Sequence, residues 1–179
     1  VQPGGVGRGV ESEALATAQD EVKIVVIIVV QSRGRRTLSL IVVAHPEPAS
    51  FNHALAGAAA DALRKAGHAV TISDLATEGF RADIGRHDFS GCLDPDHFHT
   101  QAEQAHAARN ESYAEDIARE QARVAAADNL ILQFPIWWGG PPALLKGWID
   151  RVMSYGFAYV DGRRFETWEF QWGLILGTG

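Results

Sequence analysis

A chain of 179 residues is most simply one domain, since domains average about 150 residues. The formal net charge is −6, and the 16 Lys and Arg residues are scattered, which argues against a surface for nucleic acid or an anionic membrane. The only cysteine, Cys92, excludes an internal disulfide and fits a reducing compartment, so a cytoplasmic protein is expected.

The first 37 residues differ from the remainder. Residues 1–9 are glycine-rich, and the apolar run VKIVVIIVV at 22–30 is shorter than the roughly 20 residues that span a bilayer. This run also lacks the basic leader and cleavage site of a secretory signal. The stretch RRTLSLIVVAH at 35–45 begins like a twin-arginine export signal, but its apolar part is too short. We predict that residues 1–37 are a disordered or non-native extension containing a β-prone run.

Four apolar runs predict strands that are buried in a sheet. They occupy residues 38–44, 69–75, 129–134 and 172–178. Continuous β-branched sequence such as LSLIVVA is typical of a strand covered on both faces, as in a parallel sheet.

Helical spacing separates these strands. The first helix is capped by Ser50 and ends at Gly67, and two more are predicted over 113–128 and 142–155. The predicted apolar face of the first helix consists of Leu55, Ala59, Ala62, Leu63 and Ala66. Residues 77–112 are polar and predict a long excursion with little regular structure.

The order βαβαβαβ predicts a doubly wound parallel sheet in a three-layer α/β/α domain. In the flavodoxin-like order 2-1-3-4-5, the strand at 172–178 is internal and a fifth strand covers it. This chain has no residues for that strand, so we expect an incomplete domain over 38–179 that lacks its last strand and helix.

Such a sheet binds ligands outside the carboxyl ends of its strands, where the strand order switches direction. The loops there are HPEPASFN at 45–52 and PIWWGG at 135–140. A helix N-terminus with Ser50 and Asn52 suits phosphate, and Trp137 and Trp138 suit a planar ring. The sequence has no GxGxxG after its first strand and no GxxxxGK[ST], so a dinucleotide-binding Rossmann unit is disfavoured and a P-loop is excluded. These features indicate a nucleotide-like cofactor with a planar end.

Three blocks resemble the NAD(P)H:quinone oxidoreductase family of flavodoxin-like flavoproteins. They are VVAHPEPASFNHAL, SDL and FPIWWGGPPALLKGWIDRVMSYGFAY. The resemblance implies a homodimeric, cytosolic enzyme that holds FAD, with FMN as an alternative. It also implies two-electron hydride transfer from NAD(P)H to a quinone or similar flat acceptor, without insertion into a membrane.

The resemblance also assigns site residues. It implies that His45, Ser50, Phe51 and Asn52 grip the phosphate and ribityl chain of the flavin. It implies that the isoalloxazine is lined by Pro135, Ile136, Trp137, Trp138 and Gly139, and that Thr178 begins a further flavin-binding turn. Trp138, Gly139 and Tyr159 would face the substrate, and no side chain is assigned a catalytic role because the flavin carries the hydride chemistry.

The chain departs from the family at several points. Gly139 stands where mammalian members have an aromatic residue, which implies a wider substrate slot. Asp161 replaces a second tyrosine, and the chain stops at LGTG.

Other readings of these residues stay open. Trp137, Trp138 and Tyr159 would also suit core or dimer-interface packing, and His45 would suit a bond to nearby backbone. A polar cluster in the excursion matches no zinc spacing, which favours a solvated loop without metal: Asp83, His87, Asp88, Asp94, Asp96, His97, His99 and His106. Cys92 has no basic neighbour in sequence and is assigned no redox role.

Two alternative functions also stay open. One is an accessory regulatory flavoprotein subunit of a potassium-efflux system. The other is an inactive truncated fragment.

Overall fold

The computed structural model describes residues 37–161 and, outside this range, the backbone of three strands at 24–30, 163–164 and 172–177. The strands are β1 (Ile24–Val30), β2 (Leu38–Val43), β3 (Ala69–Asp74), β4 (Asn129–Pro135), β5 (Tyr159–Val160), β6 (Arg163–Arg164) and β7 (Trp172–Gly177). The helices are α1 (Phe51–Lys65), α2 (Thr100–Asn110), α3 (Glu115–Ala126) and α4 (Ala143–Val152), with a 3-10 turn at Arg86–Asp88.

The centre of the sheet is parallel, as predicted. β2 lies between β3 and β4 and runs parallel to both, so that Ile41 is paired with Ile72 on one side and Ile131 on the other. Leu40, Ile41 and Val42 are fully buried, as expected for a strand covered on both faces. The predicted doubly wound α/β architecture is therefore confirmed.

The far side of the sheet differs from the predicted strand order. The five-stranded order is β3-β2-β4-β1-β7, with β1 antiparallel to both of its neighbours. β1 thus stands between β4 and β7, where the order 2-1-3-4 would pair β7 with β4. The physical reason is that β1 is a run of β-branched residues that satisfies the backbone groups along the edge of β4. The assignment of residues 1–37 to an extension outside the domain stays a prediction.

Helix α1 packs on the sheet through a face that matches the predicted one only in part, since Ala59 and Leu63 pack against the core. The buried residues are Asn52, Ala56 and Ala60, while Ala62 is exposed. The predicted face was wrong at Ala62 and Ala66, which both face outward. Alanine gives little signal in a periodicity argument, and a polar residue, Asn52, occupies the buried stripe.

The second main core lies on the opposite face of the sheet, under α3 and α4. Trp148 is fully buried there and its indole N–H donates to Glu120 at 2.9 Å. Arg123 in turn donates to Glu120 at 2.6 Å and to Ser73 at 2.9 Å. This network ties both helices to the end of β3.

The excursion at 77–112 is more regular than predicted. It contains the 3-10 turn and the eleven-residue helix α2. The residues of α2 that are buried are Glu103, Gln104 and Ala107, so the helix shows no apolar stripe in the sequence. Tertiary hydrogen bonds satisfy this polar face, since the Glu103 carboxylate accepts from the backbone of Leu93 at 2.8 Å.

Within the described part of the chain, none of the helices has the length and apolar character needed to cross a membrane.

Candidate functional site

The candidate site lies at the carboxyl ends of the adjacent parallel strands β2 and β4. Val43 is paired with Gln133, and the N–H of Ala44 donates to the Gln133 carbonyl at 3.0 Å. The loops that follow these strands, 44–50 and 136–142, therefore leave the sheet side by side. These are the two loops that sequence analysis selected.

The first loop ends at the N-terminus of α1. Ser50 is the N-cap, and its hydroxyl oxygen accepts from the N–H of His53 at 3.3 Å. The first helical hydrogen bond runs from Ala54 to the Ser50 carbonyl, so the N–H groups of Phe51 and Asn52 have no helical acceptor. Such groups, with the positive end of the helix dipole, favour an anion.

Asn52 has a structural role as well as a candidate binding role. Its side chain is buried, and its carbonyl oxygen accepts from the side-chain amide of Gln133 at 2.8 Å. This bond fixes the first turn of α1 to β4. Phe51 is 60% exposed beside it.

The second loop contains a tight turn that displays Trp138. Trp137 and Gly140 exchange two backbone hydrogen bonds, at 2.9 and 3.1 Å. Between them Trp138 has φ 52° and Gly139 has φ 76°, which is the conformation of a type I′ turn. Asn or Gly normally occupies the Trp138 position, and a bulky residue there costs about 1 kcal/mol. Trp138 is fully exposed, so no packing compensates for this cost.

Ring contacts connect the two loops. The His45 ring lies 6.1 Å from the Trp137 ring and 6.3 Å from the His53 ring. The Nδ1 atom of His45 accepts from the N–H of Glu47 at 3.0 Å, which shapes the loop after β2. Pro135 is buried at the end of β4, and Ile136 packs against the core behind the turn.

Tyr159 lies outside the two loops of the candidate site and contacts residues elsewhere in the chain. Its ring meets Tyr155 edge-on at 5.4 Å, and its hydroxyl accepts from Gln101 of α2 at 3.3 Å. These contacts place it beside α2 and the turn at 154–159. Thr178 lies outside the described residues. The roles of all the residues that the sequence analysis selected stay predictions.

His53 and Asp74 belong to the candidate site but were not selected from the sequence. The two nitrogens of His53 contact Ser50 Oγ and Asp74 Oδ2, each at 3.0 Å. Asp74 is the last residue of β3, and it also accepts from the side chain and backbone of Thr77, at 2.8 and 3.2 Å. The i,i+3 spacing of Ser50 and His53 was the available sequence signal, whereas the contact with Asp74 required the fold.

Asp74 should make the free energy of unfolding depend on pH. Burial raises its pKa, but the hydrogen bonds from Thr77 and His53 outweigh burial and hold the pKa below its usual value. The stabilising contribution is therefore complete above about pH 4 and is lost as the pH falls through the lowered pKa. We expect Asp74→Asn to destabilise the chain more at neutral pH than near pH 3, in urea unfolding at both values. An equal loss at both values would contradict this assignment.

The polar cluster in the excursion is engaged in contacts with neighbouring polar groups. Among the described residues, no group of three or more His, Cys, Asp and Glu side chains has the geometry to hold a metal ion. His87 contacts the buried Asp88 at 3.1 Å, and Arg86 donates to the Asp94 carbonyl at 2.9 Å. Cys92 is exposed.

Comparison with known proteins agrees with this architecture. The sequence profile of a family described as having a flavodoxin-like fold matches residues 39–173. The chain is 44% identical over 134 residues to NAD(P)H dehydrogenase [quinone] 1 of Cavia porcellus, a match that spans 74% of this chain and 49% of the relative. It is 46% identical over 121 residues to ribosyldihydronicotinamide dehydrogenase [quinone] of Pongo abelii, with 67% and 52% covered. The chain thus spans about half the length of these relatives.

A solved structure gives the same assignment. NAD(P)H:quinone oxidoreductase from Methanothermobacter marburgensis superimposes with a TM-score of 0.58 at 32% identity, over 73% of this chain and 60% of that one. The region that the family profile matches contains the parallel core and both loops of the candidate site. This chain belongs to the NAD(P)H:quinone oxidoreductase family, with a flavodoxin-like fold.

Proposed function

We propose that the chain binds a flavin, FAD in the first instance, and transfers a hydride from NAD(P)H to a quinone. The observation that carries this proposal is the fully exposed Trp138 in a strained turn beside the N-terminus of α1. Strain in the backbone persists at functional sites, where the side chain is needed for a ligand. The names of the relatives support the reaction class, since two of them are quinone dehydrogenases by name.

The residues present fit such a group. The N–H groups of Phe51 and Asn52 would hold its phosphate, because they are donors at a helix N-terminus, and the Ser50 hydroxyl would join them when its hydrogen is not donated to His53. The rings of Trp137 and Trp138 would lie against its planar end and exclude water. When bound, a flavin supplies the group that accepts and releases the hydride. One stacking face for both substrates would require them to bind in turn, and ping-pong kinetics are therefore expected.

A homodimer is proposed because the family resemblance implies one and because Leu93, Phe98 and Val160 leave apolar surface exposed. A cytoplasmic location is proposed from the single cysteine.

The test of the proposed function is reconstitution followed by turnover. The purified chain is incubated with FAD or FMN, desalted, and examined for bound flavin absorbance. NADH or NADPH is then added without oxygen, followed by a simple quinone. We expect bound flavin to bleach with the nicotinamide and to recover with the quinone. A chain that retains no flavin at micromolar concentration would contradict the proposal.

Trp138→Asn tests the turn directly. Asparagine accepts the positive φ, so the change should leave the melting temperature equal or higher while removing the ring. Aromatic stacking is worth about 0.5–1.5 kcal/mol beyond burial, so the FAD dissociation constant should rise several-fold. Ile84→Asn is the control, because Ile84 is also an exposed apolar residue but lies in the excursion. Equal effects of the two changes on FAD affinity would remove Trp138 from the site.

A further inference from the structure

A hydrogen-bonded chain links the end of β3 to the candidate phosphate site. It runs from Thr77 through Asp74 and His53 to the hydroxyl of Ser50, with His53 in contact at 3.0 Å on both sides. His53 and Asp74 are both largely buried, with side-chain exposures of 17% and 23%. The imidazole is therefore held in one place between a carboxylate and the cap residue of α1.

The donors and acceptors in this chain restrict the hydroxyl of Ser50. Asp74 is ionised at neutral pH and only accepts, so the Nε2 atom of His53 carries a hydrogen. In a neutral imidazole the Nδ1 atom then only accepts, and the Ser50 hydroxyl must donate to it. That hydrogen is unavailable to a ligand, while the oxygen already accepts from the His53 backbone N–H.

Protonation of His53 reverses the hydrogen bond between its Nδ1 atom and the Ser50 hydroxyl. An imidazolium donates from both nitrogens, so Nδ1–H donates to the oxygen of Ser50 and the hydroxyl hydrogen is released. The same proton adds a positive charge next to the N-terminus of α1, and a bound anion would benefit from both changes.

We propose that His53 is a positioning residue that sets the direction of the Ser50 hydroxyl and couples phosphate binding at α1 to the uptake of one proton. This inference rests on the proposed function, because it takes the phosphate of the flavin as the ligand. Asp74 holds the imidazole and compensates its positive charge.

Among the described residues, His45 and Glu47 are the other ionisable groups in the loop beside His53. His45 approaches from the loop after β2, edge-on at 6.3 Å, and a charge on it would oppose a charge on His53. Glu47 in the same loop is engaged with the N–H of Ala49 at 2.9 Å. The first turn of α1 contains no acidic residue, and β3 contributes Asp74.

The first test measures FAD affinity near pH 6 and near pH 8, on either side of the range in which histidines change charge. FAD is the probe because its pyrophosphate does not titrate there. A charge-assisted hydrogen bond is stronger than a neutral one. We therefore expect FAD to bind about tenfold more tightly at the lower pH. Calorimetry in two buffers of different ionisation enthalpy should show proton uptake. His53→Gln should remove both effects, while His97→Gln, at a histidine that is 89% exposed in the excursion, should retain them.

FAD affinity that is equal at both pH values would overturn this inference and leave the proposed function intact. Absence of FAD binding at both values would overturn the two together. The second test needs no ligand and uses the nitrogen chemical shifts of His53 in the free chain near pH 8. We expect the tautomer with hydrogen on Nε2, and the opposite tautomer would overturn the inference.

Discussion

Arg151→Met is expected to lower the free energy of unfolding by about 3–5 kcal/mol, because it removes one partner of a buried ion pair. Arg151 is 1% exposed, and its Nε atom donates to the buried Asp88 at 2.9 Å. Its guanidinium also donates to the Arg81 carbonyl at 2.8 Å and lies 4.7 Å from the centre of the Phe80 ring. The change removes the guanidinium that faces the buried Asp88 carboxylate and releases the excursion from α4.

The matched control is Arg64→Met. Arg64 also pairs with an aspartate, Asp61 at 3.6 Å, but both side chains are more than half exposed, so little change is expected. Burial raises the pKa of Asp88, and Arg151 opposes that rise, so the Arg151→Met change raises the pKa further. The defect should therefore shrink as the pH falls and Asp88 becomes neutral. Urea unfolding near pH 7 and near pH 4 checks both points, and similar losses at Arg64 and Arg151 would refute the argument.

Gly147→Ala is expected to cost several kcal/mol, since overpacking a rigid contact typically costs about 1–3 kcal/mol and sometimes more. A Cβ atom at Gly147 would lie 2.1 Å from the carbonyl oxygen of Ala82 and 2.5 Å from its Cα. Backbone atoms cannot move aside as a flexible side chain can. The excursion would have to separate from α4, which also carries Trp148 and Arg151.

Gly57→Ala is the control in another helix interior. A Cβ atom at Gly57 would meet nothing within 4 Å, and alanine favours helix over glycine by about 0.5–1 kcal/mol. The same substitution should therefore stabilise α1 and destabilise α4. We expect the melting temperature to rise in Gly57→Ala and to fall in Gly147→Ala. An unchanged melting temperature in Gly147→Ala would show that α4 does not pack on Ala82 as described.

The central strands and the position of the site were predictable because they depend on strong local signals. The run at β2 reads as a buried strand from its composition alone, and α3 and α4 follow from their apolar spacing. The site follows from the rule that ligands bind at the carboxyl ends of parallel strands. The sequence therefore predicts both loops of the site.

The elements that the sequence does not predict depend on contacts between residues that are far apart in the chain. Helix α2 buries Glu103 and Gln104, whose partners lie in the loop at 93–94 and at residues 150–155, so its sequence looks like a polar loop. The position of β1 between β4 and β7 depends on which strands pair in the sheet, and the local sequence does not determine that pairing. The predicted α1 face was wrong in part for the same reason, because Gln133 on β4 makes burial of Asn52 favourable.

Within the site, the sequence does not predict one backbone conformation and one long-range contact. The sequence WWGG indicates a turn, but nothing in it predicts a tryptophan with positive φ. The pairing of His53 with Asp74 joins residues 21 positions apart across a strand and a helix.

The central claim is that the N-terminus of α1 and the tryptophan turn form one flavin site, and an NMR titration of the ¹⁵N-labelled chain with FAD tests it most directly. The account predicts that the largest shifts occur together at the backbone N–H groups of Phe51 and Asn52 and at the indole N–H of Trp138. The indole N–H of Trp148, bound to Glu120 in the core, should stay in place and serves as the internal reference. Binding that shifts the excursion at 93–99 while those signals stay unchanged would contradict the account.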